Sequence, residues 1–252
     1  MRKRLPIVAL LMIVAVPNSP PGRAQHLRKP SKHSGTPIVA EFVGAGTESP
    51  QDQIHRQIRE EQYGDRLTKP LVDPGLTVDR QTETTRLTVI DYVIPNDPDP
   101  PGMPVSRSAA VIIGTVLGGK CFINKAHTYV YTDYQVKIDQ ILMPDPTGNL
   151  RVGTLVAGKR YGGAIHFPSG HVTNVFLGGH GLPVIGAQYV LFLKKAIPSF
   201  PEYEIVLDSG YQLQGGKAYP LDDANSQYEG VDSSVLLGKI QEAIAIALQM
   251  HP

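Results

Sequence analysis

The sequence predicts a mainly β protein: a small antiparallel OB-like barrel with a carboxy-terminal packing helix and an irregular amino-terminal region. Three observations carry this. From Ala109 to Leu221, short runs of β-branched and aromatic residues alternate with glycine-bearing turns, and no helical apolar period appears. Within that block Val130, Thr132, Tyr134, Val136 and Ile138 fall on one strand face, while Tyr131, Asp133, Gln135, Lys137 and Asp139 fall on the other. Near the end of the chain, Leu236, Ile240, Ile244 and Leu248 recur at every fourth residue, the spacing of one helical stripe.

Taken in order, the chain opens on a basic cluster, Arg2, Lys3 and Arg4, then an apolar run from Leu5 to Val16, then a polar stretch ending at Gly22-Arg23-Ala24. That order is the tripartite pattern of a secretory signal, with cleavage expected between Ala24 and Gln25. The apolar run is shorter than the ~20 residues that cross a bilayer core, so no membrane span is expected once residues 1–24 are removed. The expected destination is the periplasm or the extracellular space. The chain holds 1 Cys, Cys121, which excludes an internal disulfide; in a strand-and-turn setting it is expected to be a small buried residue. No cysteine stands at the cleavage site to carry a lipid.

Charge argues against a nucleic-acid partner. The chain has 24 Lys+Arg and 23 Asp+Glu, and loss of Arg2, Lys3, Arg4 and Arg23 with the leader tips the balance acidic. No basic patch appears. The expected partner is instead a protein or a small ligand.

Residues 25–83 read as a polar, partly disordered lead containing a short surface helix. Its signals are Ser49 as cap, Pro50 at the first helical position and Gly64 as the stop. Residues 84–107 carry a strand over Thr84 to Ile94 and then a proline-rich spacer, Pro95 to Pro104.

The barrel core is assigned to 108–222. Ala109 to Val116 is a buried-type strand expected to end at Gly118-Gly119. The alternating strand from Val130 slips phase near Gln140 to Leu142, where a bulge is expected. Strands are also expected at Gly153 to Arg160 and Tyr189 to Lys195, and at Tyr203 to Leu207. Hairpins are expected across Pro168-Ser169-Gly170 and across Gly215-Gly216. Residues 223–252 then supply a polar stretch and the last helix, capped by Asp232 or Ser233 and expected to cover the open side or end of the barrel.

The segments AAVIIGTVLGG, YTDYQVKIDQIL, FPSGHV, QYVLFLKK and GYQLQGGKAYPLD resemble an uncharacterised family of exported bacterial proteins over Ser108 to Asp222. The first two also resemble the start of OB folds of the netrin and metalloproteinase-inhibitor type, in which a VxxGxV strand precedes a long alternating strand. That second resemblance implies a barrel. It does not carry over the inhibitor chemistry, which relies on an amino-terminal cysteine and disulfides.

Candidate chemistry is sparse. His166 and His171 flank the Pro168-Ser169-Gly170 turn and His180 follows in a glycine-rich loop, so three imidazoles are a candidate zinc set for a metal-dependent hydrolase. Val206-Leu207-Asp208-Ser209-Gly210 matches the aspartic-protease signature, but that chemistry needs a second such motif, which is absent, or a symmetric dimer, and a turn is the simpler reading. Ser169 lacks the Gly-x-Ser-x-Gly context of a nucleophile elbow. Tyr129 and Tyr131, beside Asp133 and Gln135, are the candidate ligand-binding aromatics of an open strand face. No catalytic residue is assigned, and the expectation is a non-enzymatic binding or scaffold module.

Overall fold

The computed structural model describes residues 35–41, 71, 73, 82–87, 99–124, 127–195 and 202–250. The leader expected over 1–24, the helix expected near 50–63 and the end of the strand expected over 84–94 lie outside these residues. In chain order the strands are β1 (Val39–Glu41), β2 (Thr82–Leu87), β3 (Ala110–Ile123), β4 (Val130–Met143), β5 (Leu155–Tyr161), β6 (Gly163–His166), β7 (Val172–Leu177), β8 (Gln188–Lys195), β9 (Tyr203–Ile205), β10 (Tyr211–Gln214), β11 (Lys217–Pro220) and β12 (Val231–Asp232). A 3-10 turn at Asp223–Tyr228 and helix α1 (Ser233–Met250) complete the described chain.

Five strands close a barrel. β3 pairs antiparallel with β4, β4 with β5, β3 with β8, and β8 with β9. Parallel pairing of β5 with β9 completes the ring, and closure leaves these five strands without a free edge at that seam. Ile112, Val116, Tyr134, Val136, Leu191 and Ile205 fill the interior. The alternation read from the sequence holds in the middle of β4: Thr132, Tyr134, Val136 and Ile138 are buried, while Gln135 and Lys137 are exposed; at its start it fails, since Tyr131, expected on the outer face, is buried. The expected bulge is also present, because the β3–β4 register shifts between Val111 and Ile112, opposite Met143 and Ile141.

β3 does not stop at Gly118-Gly119. It continues to Ile123, since β4 pairs with it along the whole length and its ladder offsets the ~0.5–1 kcal/mol that a glycine costs in a strand. A side chain at Gly119 would force Ile38 to move, because a Cβ there would lie 2.6 Å from Ile38 Cδ1 and 3.0 Å from the Asp133 carbonyl oxygen.

Not every strand of the block belongs to the barrel. The β6–β7 hairpin forms, as expected, across Pro168-Ser169-Gly170, with His166 opposite Val172. It then builds a second sheet in the order β1-β6-β7-β2, with β1 and β2 added in parallel at its edges. The chain leaves the barrel at Gly162, whose φ of +104° suits only glycine and whose Cβ would meet the Val175 carbonyl oxygen at 2.9 Å. Between this sheet and the far end of the β3–β4 hairpin lies a separate core that includes Phe122, Tyr129, Tyr131, Tyr161, Phe167 and Val175.

α1 covers the outside of the barrel rather than its end. Leu236, Ile240, Ala243, Ile244 and Ala247 pack with Val111, Ile113, Val190 and Phe192, the outward residues of β3 and β8. Those two strands are apolar on both faces, so their outer face needs a cover, and a helical stripe supplies it. The stripe ends at Ala247; Leu248 is 58% exposed. Met103 and Val105 enter the same core, and the Tyr211 hydroxyl donates to the Gly102 carbonyl at 2.8 Å. The last part of the proline-rich stretch is therefore packed, not a spacer. The β10–β11 hairpin turns at Gly215-Gly216, both with positive φ, as a two-residue turn requires.

The β4–β5 turn is anchored by Asp145. Its carboxylate accepts from the Tyr203 hydroxyl, from Thr147 N at 2.9 Å and from Thr147 Oγ1 at 2.7 Å, with Lys195 Nζ at 3.2 Å. Burial alone would raise its pKa, but these partners outweigh burial and hold it at about 2. The folded pKa lies below the unfolded ~3.9, so the contribution is complete above about pH 4 and is lost as pH falls through 2. Asp145→Asn is expected to cost about 1–3 kcal/mol in urea unfolding at pH 7, with the deficit closing by about pH 2.

Candidate functional site

The expected open aromatic face is closed. Tyr129 and Tyr131 are 2% and 1% exposed, because β4 runs past the barrel into the core under the second sheet. Tyr131 stacks on Phe122 at 5.3 Å, and Tyr129 meets Tyr161 edge-on at 4.8 Å. Lys159 Nζ lies 5.3 to 5.8 Å from the ring centres of Tyr161, Tyr129 and Tyr131, so these rings house a lysine of the chain itself. The same register lines up Lys120, Asp133, Lys159, Glu204 and Lys194 on β3, β4, β5, β9 and β8. Neighbours across each strand pair in this row carry opposite charge, which favours this register over a slip by one residue. Lys159 is fully buried and meets Glu204 Oε2 at 3.9 Å.

Farther along the same wall, toward the β4–β5 turn, the barrel faces outward uncovered. Gln135, Lys137 and Leu155 are exposed and Ala157 is half-buried, with Gln135 opposite Ala157 and Lys137 opposite Leu155.

The three-histidine grouping expected from the sequence is not the one the fold assembles. His166 is half-buried on β6. His171 is buried after the turn, its ring 6.4 Å from that of Phe167, and the hairpin's Ser169 bonds to Asp73. The ligand atoms that gather within 4.8 Å of one another among the described residues belong to His180, Asp208 and Asp222. The difference arises because the hairpin histidines sit on the second sheet, whereas the loop after β7 turns back to the barrel. Cys121 is buried as expected; burial pushes its thiol up to about 12, so it stays protonated.

Each member of the His180 group is delivered by a turn. After β7 the chain folds tightly, with His180 N donating to the Leu177 carbonyl, and His180 forms a β-bridge with Asp222 at the end of β11. The Asp208-Ser209-Gly210 turn follows β9, with φ of +55° at Asp208 and +94° at Gly210, conformations that aspartate tolerates and glycine favours. Gly181 N donates to the Leu221 carbonyl, and Leu221 N to the Gly210 carbonyl, stitching the three segments together at the backbone.

Asp222 is the hub. One oxygen accepts from the Arg160 guanidinium, which comes from β5 and is fully buried, and also from Gly181 N at 3.2 Å. The other accepts from Ser209 N at 3.2 Å. Burial alone would raise the Asp222 pKa, but the Arg160 charge, with His180 adding to it, holds it below the usual carboxylate range. Arg160 Nε donates to the Gly181 carbonyl at 2.7 Å, so the arginine ties barrel, loop and turn together. His180 is 7% exposed, with Nδ1 3.4 Å from Asp222 Oδ1 and 3.8 Å from Asp208 Oδ1. The Asp208 side chain is 45% exposed, which leaves one side of the group open to solvent.

A buried imidazole beside two carboxylates and an arginine can orient a polar ligand, hold a cation or fix three loops in place. Asp208 is marked in the sequence only by the Asp-Ser-Gly signature and its turn reading, and Arg160 and Asp222 give no motif at all. Asp222 lies far from His180 in sequence, and the β-bridge and the Arg160 and Gly181 hydrogen bonds bring them together. No protein-family model, curated protein or solved structure matches the chain.

Proposed function

We propose that this chain is an exported, non-enzymatic binding or scaffold module whose barrel is of the OB type and takes a protein segment or small ligand on its β4–β5 wall. One observation carries the reading. Helix α1 covers the β3–β8 wall and the second sheet covers the far end of the β3–β4 hairpin, while Gln135, Lys137, Leu155 and Ala157 stay accessible on the second and third strands of the ring. OB-type barrels take their ligands across that strand face. An amide, a cation and an exposed leucine there combine directional contacts with apolar area, the mixture that recognition surfaces use. Export is supported by the residues up to Ala24, and material recovered outside the cytoplasm should begin at Gln25.

The test is an NMR titration of the chain with peptide and oligosaccharide libraries. Hits should shift the amides of 135, 137, 155 and 157. A Gln135→Ala, Lys137→Glu, Leu155→Asp variant should fold with only a small stability change, roughly 0.5 kcal/mol per site, yet bind at least about tenfold more weakly. Hits that map away from this wall, or turnover of a substrate by the purified chain, would overturn the reading.

A further inference from the structure

We propose that His180, Asp208 and Asp222 form a binding site for a divalent metal of the zinc class, which clips the loop after β7 to the turns that follow β9 and β11. This goes beyond the binding-module reading and does not depend on it. The donor spacing is the first argument. A protonated imidazole bonded to a carboxylate sits about 2.7–2.9 Å from it, whereas two ligands on a tetrahedral ion at about 2.0–2.1 Å stand about 3.3 Å apart. His180 Nδ1 lies 3.4 Å and 3.8 Å from the two aspartate oxygens, too far for charge-assisted hydrogen bonds and close to the separation of metal ligands.

The second argument is independent of spacing. His180 is more than nine-tenths buried, and its Nδ1 has no hydrogen-bond partner among the described residues while aimed between the two carboxylates. A buried nitrogen left so is costly unless something satisfies it, and a cation would. Asp222 is fixed in place by hydrogen bonds from Arg160 and Gly181 N to Oδ1 and from Ser209 N to Oδ2. With the imidazole in the neutral form that binds a metal, Arg160 balances only one of the two carboxylates, so the group keeps a net negative charge for a dication to meet. One nitrogen and two oxygen donors suit zinc and its neighbours better than calcium or magnesium, which take oxygen ligands. The exposed Asp208 side gives the ion a route in and leaves room for water to complete its coordination.

The full chain, treated with chelator and titrated calorimetrically with zinc chloride, should bind one zinc and show a Tm higher by roughly 5 °C at saturation. Cobalt(II) in place of zinc should give the visible absorption of a four-coordinate N/O site. His180→Ala and Asp208→Asn should each weaken zinc binding at least about tenfold, since loss of even an outer-shell partner of a metal ligand typically costs about 10–100-fold. Asp208→Asn is the safer variant, because that side chain is partly exposed and its replacement should leave the apo Tm unchanged. His166→Ala should bind zinc like the parent. Failure of the parent chain to bind zinc below about 1 mM, unaltered binding in Asp208→Asn, or loss of binding in His166→Ala would each overturn the proposal.

Discussion

Replacing Arg160 by methionine is expected to cost about 3–5 kcal/mol in guanidinium unfolding. The side chain is fully buried, and its loss leaves the Asp222 carboxylate without the charge that holds it ionised inside the fold. It also leaves the Gly181 carbonyl without its Nε donor. A second substitution separates the cause from simple loss of volume. In the Arg160→Met, Asp222→Leu double variant both charges are gone, so part of the stability should return. Return should be incomplete, because Ser209 N and Gly181 N lose their acceptor. A double variant as unstable as the sum of its parts would mean that the pair is not energetically coupled.

Removal of Val235 to Pro252 is expected to abolish cooperative unfolding. Truncation strips α1 from Val111, Ile113, Val190 and Phe192 and opens the apolar outer wall of β3 and β8 to water. The milder Ile240→Ala, at a fully buried position in the middle of the helix, should cost about 2–5 kcal/mol. The matching change at Leu248, 58% exposed, should be close to neutral. An unchanged melting temperature after truncation would mean that the helix serves something other than this wall.

The period-two pattern in the middle of β4, the two-glycine hairpin, the bulge near Leu142 and the buried stripe of α1 from Leu236 to Ile244 were legible in the sequence, whereas Leu248, read into that stripe, is exposed. Each rests on contacts between near neighbours or on a side-chain period that one face imposes. The membership of the sheets was not legible. The β6–β7 hairpin reads like any other in the block, and only its parallel pairing with β1 and β2 removes it from the barrel. Tyr129 and Tyr131 carried the right period for an exposed face and were misplaced for the same reason, since the second sheet that covers them comes from elsewhere in the chain.

The candidate site shows the same division. His180 was visible as a histidine in a glycine loop, and Asp208 as part of a turn motif, because local chemistry marks both. Their association with Asp222 and Arg160 depends on barrel closure, which carries β5 alongside the turn after β9, and on the bridge between 180 and 222. The sequence by itself therefore determined the class of fold, the alternation of its best strand and the helix that covers it. The tertiary structure alone decided which sheet each strand joins, which aromatics are hidden and which polar groups meet, since those outcomes depend on contacts between residues far apart in the chain.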